Sequence, residues 1–348
     1  MPTLLSLTGS GSGAASTDAI AVSHNNTPSV SAYPWSASGF GTKFSDPATL
    51  PGTADGISVA FTASGNAIAV GHPTSPRIST YPWSGSGFGT KYSNPATIPG
   101  GTQVTGVAFT ASGNAIAASY NSSPSSVAAY PWSGSGFGTK FSDPATVPTG
   151  SGNDVAFTAS GNAIAVVHPT TPFISTYPWS GSGFGTKFAN PATVPASTSY
   201  DVAFTASGNA IAVGHNSTPF ISTYPWSGSG FGTKFANPAT LPAGTIGLGV
   251  AFTASGNAVA VCHGTTPFIS TYPWSGSGFG TKFANPATLP AGSGNGVAFT
   301  ASGNAIAIAC GNTPFISTYP WSGSGFGTKF ANPATLPAGW GTDVVFSA

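Results

Sequence analysis

Five histidines recur in one setting, at 24, 72, 168, 215 and 263, each closing a short apolar run such as AIAVGH, with Tyr120 and Cys310 in the same place in two further copies. Imidazoles bind metals and move protons near neutral pH. A metal site needs its donors about 2 Å from one ion, whereas equivalent positions on stacked sheets lie roughly 10 Å apart. Packing at strand ends is therefore the expected role, and a repeated ligand site the alternative. The carboxyls are seven aspartates, Asp18, Asp46, Asp55, Asp143, Asp154, Asp201 and Asp343, with no glutamate. Acid–base chemistry needs groups that converge. These fall in different repeats, so no carboxyl pair is expected. No nucleophile elbow and no lysine-bearing phosphate loop is present, and the Gly-Ser-Gly stretches suit hairpins. The expected catalytic residues, metal ligands and cofactors are none.

The aromatic candidates are equally regular. Tyr-Pro-Trp occurs seven times, 47 to 49 residues apart, as Tyr33 with Trp35, Tyr81 with Trp83, Tyr130 with Trp132, Tyr177 with Trp179, Tyr224 with Trp226, Tyr272 with Trp274 and Tyr319 with Trp321. Aromatics at alternate strand positions pack between sheets. Their other expected use is one shallow ligand site per repeat, a sugar stacking on each ring.

Only 4% of the 348 residues are charged, yet 40% are hydrophobic and 12% aromatic. Disordered chains lack such aromatics, and the apolar runs stop far short of the roughly 20 residues that span a membrane. Seven of the eight basic residues are one lysine per repeat, so the clustered charge of a nucleic-acid binder is missing. The N-terminal MPTLLSLTGSGSG has no basic n-region, and no secretory signal peptide is expected. Cys262 and Cys310 are too few for a disulfide framework and are expected to be free.

The repeat at 200–242, YDVAFTASGNAIAVGHNSTPFISTYPWSGSGFGTKFANPATLP, alternates apolar runs with Gly, Ser, Asn and Pro clusters. Four strands are expected, at Val202–Thr205, Ala210–His215, Phe220–Trp226 and Thr233–Ala236. The third should bulge or end near its tyrosine, because Pro225 lacks a ladder donor. Ile211 and Val213 share one face of the second strand while Ala210 and Ala212 share the other, so bulky faces can fill small ones on the next sheet. Seven four-stranded sheets of this kind make an all-β, seven-bladed β-propeller. The blades are expected at 14–50 plus 343–348, then 57–99, 105–148, 153–195, 200–242, 248–290 and 295–337, numbered 1 to 7 below. The first copy has no VAFTA-type strand, and Asp343–Ala348 supplies it, closing the ring and removing exposed edges. Thr3–Leu7 is left over. The segment VAFTASGNAIAVGHNSTPFISTYPW resembles a WD40-type blade in layout, without the paired Gly-His and Trp-Asp signatures.

The seven copies also compare themselves. The turns Ala-Ser-Gly-Asn and Ser-Gly-Ser-Gly-Phe-Gly barely change, whereas the segments before the first strand and between the second and third strands all differ. Both variable connections emerge on one face, where asymmetric contacts are expected through Asp55, Arg77, Asp154, Asp201 and Trp340; unconstrained drift is the alternative. In general style, near-identical repeats with almost no charge resemble propeller proteins of bacteriophage particles. That resemblance implies a non-enzymatic virion or attachment module on a virion or extracellular surface. Its partners would be other particle proteins or a host-surface glycan. A multivalent lectin is the alternative, with an enzyme or signalling scaffold ranked last.

Overall fold

Each repeat folds into a twisted antiparallel sheet, and successive sheets lie side by side around a ring, in a computed structural model that describes residues 18–52, 55–123 and 125–347. Thr3–Leu7 lies outside the described residues. Blade 5 shows the order from the axis outward: Ser199–Phe204, Ala210–His215, Ile221–Ser227 and Gly230–Phe231. The innermost strands of neighbouring blades touch one another. The ring closes as the sequence requires. Gly341–Phe346 pairs antiparallel with Ala19–His24, Val344 opposite Val22. Ala19 and Ser347 seal the junction, with Ser347 N donating to Ala19 O and Ala19 N donating to Ser347 Oγ, both at 2.8 Å.

Bulky faces do pack on small ones. Ala163 and Ala165 of blade 4 lie beneath Val202, Ile211, Val213, Tyr224 and Trp226 of blade 5, and the same cluster repeats at every junction. A larger residue at the alanines would overfill a close-packed layer. Trp226 meets Phe188 of the preceding blade and its own blade's Phe204 and Phe231 edge-on, with centroids at 5.4, 5.3 and 5.1 Å. Such edge-to-face contacts suit the ring quadrupole. Six of the seven Tyr-Pro-Trp hydroxyls, all but that of Tyr224, reach back to the preceding blade, Tyr177 donating to Thr146 O at 2.7 Å and Tyr319 to Thr288 O at 2.8 Å.

The unchanging Ala-Ser-Gly-Asn turn has a local cause. Thr205 Oγ1 accepts from the backbone N–H groups of Asn209 and Ala210, both at 3.1 Å, and donates to Asn209 Oδ1 at 2.9 Å. Gly208 takes φ +67°, which disfavours any side chain there.

Two local expectations are corrected. The fourth strand is not Thr233–Ala236 but the two-residue Gly230–Phe231, directly after the turn; in blades 6 and 7 it shrinks to the bridges Trp274 to Phe279 and Trp321 to Phe326. The third strand of blade 5 does not end at its tyrosine. It runs through Pro225, which pairs with Ala210. Pro225 turns its carbonyl outward to accept from Gly232 N at 2.8 Å, so the missing N–H faces the outermost strand and only that thin edge is weakened.

Replacing Trp226 with alanine should cost about 3–5 kcal/mol, the usual price of emptying a buried aromatic site, and should lower the urea midpoint. A variant with an unchanged midpoint would show that the junction does not depend on this ring.

Candidate functional site

The residue just before the Val-Ala-Phe or Val-Val-Phe run of each inner strand sits beside the axis. From blade 1 to blade 7 it is Asp343, Ser58, Gly106, Asp154, Asp201, Gly249 and Gly296. These positions and the residues preceding them border an axial cavity of ≈ 290 Å³, whose wall includes Asp154, Asp201, Asp343, Asn153, Tyr200 and Asn295.

Strands crowded this closely present backbone groups to the next blade that need partners. In one tier the side chain accepts from the neighbour's valine N–H: Val59 donates to Asp343 Oδ2 at 3.1 Å, Val107 to Ser58 Oγ at 3.2 Å, Val202 to Asp154 Oδ2 at 3.2 Å and Val250 to Asp201 Oδ2 at 2.6 Å. One residue earlier, a second tier donates to the neighbour's carbonyls. Thr342 Oγ1 bonds Gly56 O, Thr105 Oγ1 bonds Gly152 O, Asn153 Nδ2 bonds Ser199 O and Asn295 Nδ2 bonds Gly341 O, each at 2.7 Å. Glycine stands where a carboxyl from the following blade needs the room. A Cβ on Gly106 would lie 2.3 Å from Asp154 Oδ1, and one on Gly296 2.9 Å from Asp343 Oδ1.

Asp154 and Asp201 have no glycine between them. Their carboxyls converge on one donor, the Val202 N–H, which lies 3.2 Å from Asp154 Oδ2 and 2.8 Å from Asp201 Oδ1. Burial is the largest cause raising Asp154 well above the ordinary 3.8, followed by the charge of Asp201 and the bond to it. Burial also raises Asp201, but the bond from Asp154 and the N–H groups of Val250 and Val202 stabilise its ionised form. Both carboxyls are thus held above the ordinary range, Asp154 the further of the two. Across the cavity, burial pushes Asp343 up to about 7. Two carboxyls sharing a site can take a proton from water and give one to a departing oxygen, the equipment for hydrolysing an ester-type bond. Among the described residues no group of three His, Cys, Asp or Glu side chains is placed to hold a metal ion. A second cavity, of ≈ 400 Å³ beside Leu50, Pro76 and Lys91, contains no carboxyl to pair with that lysine.

The structure brings together Asp154 and Asp201 from the expected variable-face set. Asp55, Arg77 and Trp340 do not line the axial cavity. Asp55 is exposed, Trp340 is 52% exposed, and the Arg77 guanidinium is bound to Pro99 O at 3.1 Å. The ligand positions expected at Tyr33, Tyr81, Tyr130, Tyr177, Tyr224, Tyr272 and Tyr319 are fully buried, and Trp35, Trp83, Trp132, Trp179, Trp226, Trp274 and Trp321 nearly so. Rings enclosed in this way offer no open face for a sugar to stack on. The five histidines are also wholly buried, each with Nε2 at 3.0 or 3.1 Å from a serine Oγ of its own blade. The expectation of scattered carboxyls is corrected, because inner strands from different repeats converge at the axis. Asp343, Tyr200, Asn153 and Asn295 were missed. Aligning the seven copies on the inner-strand valine exposes them, since the two columns before it vary from copy to copy while the valine and the phenylalanine two residues on repeat.

No family model matches the chain, and no curated protein matches it. Among solved structures, the periplasmic gluconolactonase of Pseudomonas aeruginosa superposes with TM-score 0.74 at 12% identity, covering 95% of this chain and 99% of that one. A protein described as a candidate 6-phosphogluconolactonase from Bacteroides fragilis gives 0.72 at 11% identity over 95% and 98%. A protein from Lactobacillus plantarum gives 0.71 at 12% identity over 95% and 99%. The seven-bladed propeller is thus shared along the whole chain, while the WD40-like resemblance holds for the fold only. The expectation of a non-enzymatic virion or attachment module, with a lectin as its alternative, is corrected by this finding. Proteins named as lactonases share the fold over 94–95% of this chain, and the converging acids held to be missing line the axial cavity.

Stability should depend on pH in two opposed ways. Burial holds all five histidines down from 6.5 to about 4. Between those values the unfolded chain binds protons that the folded chain refuses. The stability is present above 6.5 and lost as pH falls through about 4, by up to roughly 3 kcal/mol per histidine. Asp343 runs the other way: with its pKa raised from 3.8 to about 7, its contribution is present below 3.8 and lost as pH rises through 7. The two windows overlap, and five histidines outweigh Asp343 there, so the melting temperature should rise from pH 4 towards 6.5, along an acid limb that flattens when His215 is replaced by glutamine. An acid limb of unchanged slope in that variant would refute the assignment.

Proposed function

We propose that the chain is a lactone hydrolase working in its axial channel, with Asp154 and Asp201 as the acid–base pair. The single observation that carries this reading is the convergence of two aspartates from adjacent blades on one backbone N–H, in a cavity large enough for a small ligand. The whole-chain likeness to a gluconolactonase propeller supports it. In the reaction, the Asp201 carboxylate takes a proton from water as the water oxygen bonds to the lactone carbonyl carbon. Asp154 gives its proton to the ring oxygen as the acyl–oxygen bond breaks, leaving a hydroxy acid. The proton taken by Asp201 then restores the pair. Asp343 stands across the cavity, where its charge keeps the pair's proton in place. A site of action outside the cytoplasm, one part of the location expected from sequence, agrees with the periplasmic neighbour; the virion part has no support.

The acids also accept backbone N–H groups from the next blade, so a test must separate catalysis from ring closure. Asparagine keeps an acceptor oxygen for Val202 and Val250 but cannot exchange the proton. With glucono-1,5-lactone as substrate, followed by pH-stat, Asp154→Asn and Asp201→Asn should each lower kcat by about 100-fold or more while the melting temperature changes little. The wild-type rate should fall on both sides of an optimum, at alkaline pH as Asp154 loses its proton and at acid pH as Asp201 gains one. Full activity in both variants would refute the proposal.

A further inference from the structure

We infer, resting on the lactonase reading of the channel, that the site takes an uncharged polyhydroxylated lactone of single-ring size and rejects its phosphorylated counterpart.

The first ground is charge. None of the twelve residues lining the cavity is basic, and three are aspartates. The cations are used elsewhere: all seven lysines bond the aspartate or asparagine three residues on, and Arg77 bonds Pro99 O. A phosphate dianion would enter a carboxyl-lined cavity with no counter-charge, and low-dielectric walls strengthen that repulsion.

The second ground is hydrogen-bond polarity. Most of the wall's donors hold the ring together. Thr105, Thr342, Asn153 and Asn295 give their hydrogens to carbonyls of the next blade, and Ser58 Oγ donates to Asp343 Oδ2 at 3.2 Å. Against one remaining Nδ2–H on each asparagine and the Tyr200 hydroxyl, the wall offers a ligand a larger set of acceptors: amide Oδ1, hydroxyl lone pairs and carboxyl oxygens. A sugar ring presents several hydroxyl donors and fits such a wall. A phosphate presents acceptors almost alone and does not. The cavity of ≈ 290 Å³ lies at the small end of ligand sites, which run from about 300 to 1,000 Å³, and so suits one ring rather than a chain. The same polarity acts on the product: ring opening turns a neutral lactone into a carboxylate, which this wall repels.

Binding separates this inference from the activity it rests on. Gluconolactam, a neutral ring that resists hydrolysis, and its 6-phosphate should be titrated into the purified full-length protein by calorimetry. The lactam should bind, with the phosphate form weaker by at least about tenfold. Asp343→Asn, which keeps an acceptor for Val59 but removes charge, should narrow that ratio by about threefold or more. Equal or tighter binding of the phosphate form, a ratio unmoved in Asp343→Asn, or binding of neither compound would each overturn the inference. Lactam binding with the expected preference, but no hydrolysis of the lactone, would sink the lactonase proposal alone and leave the ligand class standing.

Discussion

Everything in this molecule depends on one packing constraint: the tyrosine and tryptophan face of each sheet must seat on the alanine face of the sheet before it. Tyr224 and Trp226 over Ala163 and Ala165 form one of seven such junctions. Because every blade is both a bulky partner and a small one, both faces of the second and third strands are closed to change at once. This accounts for AIAV and Tyr-Pro-Trp recurring in the copies, and for a chain with 4% charge needing no ion pairs at its blade contacts. The two salt bridges among the described residues, Lys43 with Asp46 and Lys140 with Asp143, each lie within a single blade.

At the axis the constraint takes a different form. The inner strands come so close that their backbone groups are bonded across blades, and each junction does this differently. Blades 1 and 2 use Asp343 and Thr342; blades 4 and 5 use Asp154 and Asn153. Between blades 6 and 7 the two positions are Leu248 and Gly249, which have no polar side chain to give. There the backbones close up, a Cβ on Gly249 falling 3.1 Å from Gly296 Cα, and the Cys262 thiol lies 3.6 Å from Gly296 O. The ring thus closes without a carboxyl at that junction. It tolerates variation at the axis that it excludes from the blade faces.

This difference explains what could be read from the sequence. Blade number, ring closure by Gly341–Phe346 and bulky-on-small packing were all legible, because local patterns repeated seven times leave few arrangements. The fourth strand was misplaced because Thr233–Ala236 has strand-like residues, yet the hairpin geometry set by Gly230 pairs the chain earlier. The acid pair was illegible for a tertiary reason. Asp154 and Asp201 are a whole repeat apart in sequence, and only the convergence of inner strands puts them side by side. The histidines drew attention because they recur, and the structure gives each of them a serine of its own blade.

Recurrence is in fact a guide to where chemistry does not lie. A residue present in every blade satisfies a contact that every junction makes, so packing already accounts for it. A residue confined to one or two blades is not required by a contact that every junction makes. Gly249 shows that the ring closes without an acid, and Ser58 shows that an uncharged side chain can accept the same N–H. Two adjacent aspartates meet that structural need no better than serines would, and burial raises both pKa values, the charge of Asp201 adding to the rise at Asp154, which is an electrostatic cost to the folded chain at neutral pH. A cost kept at one junction, in a chain whose blade faces repeat a single solution, is what the proposed use of this pair in acid–base chemistry would account for.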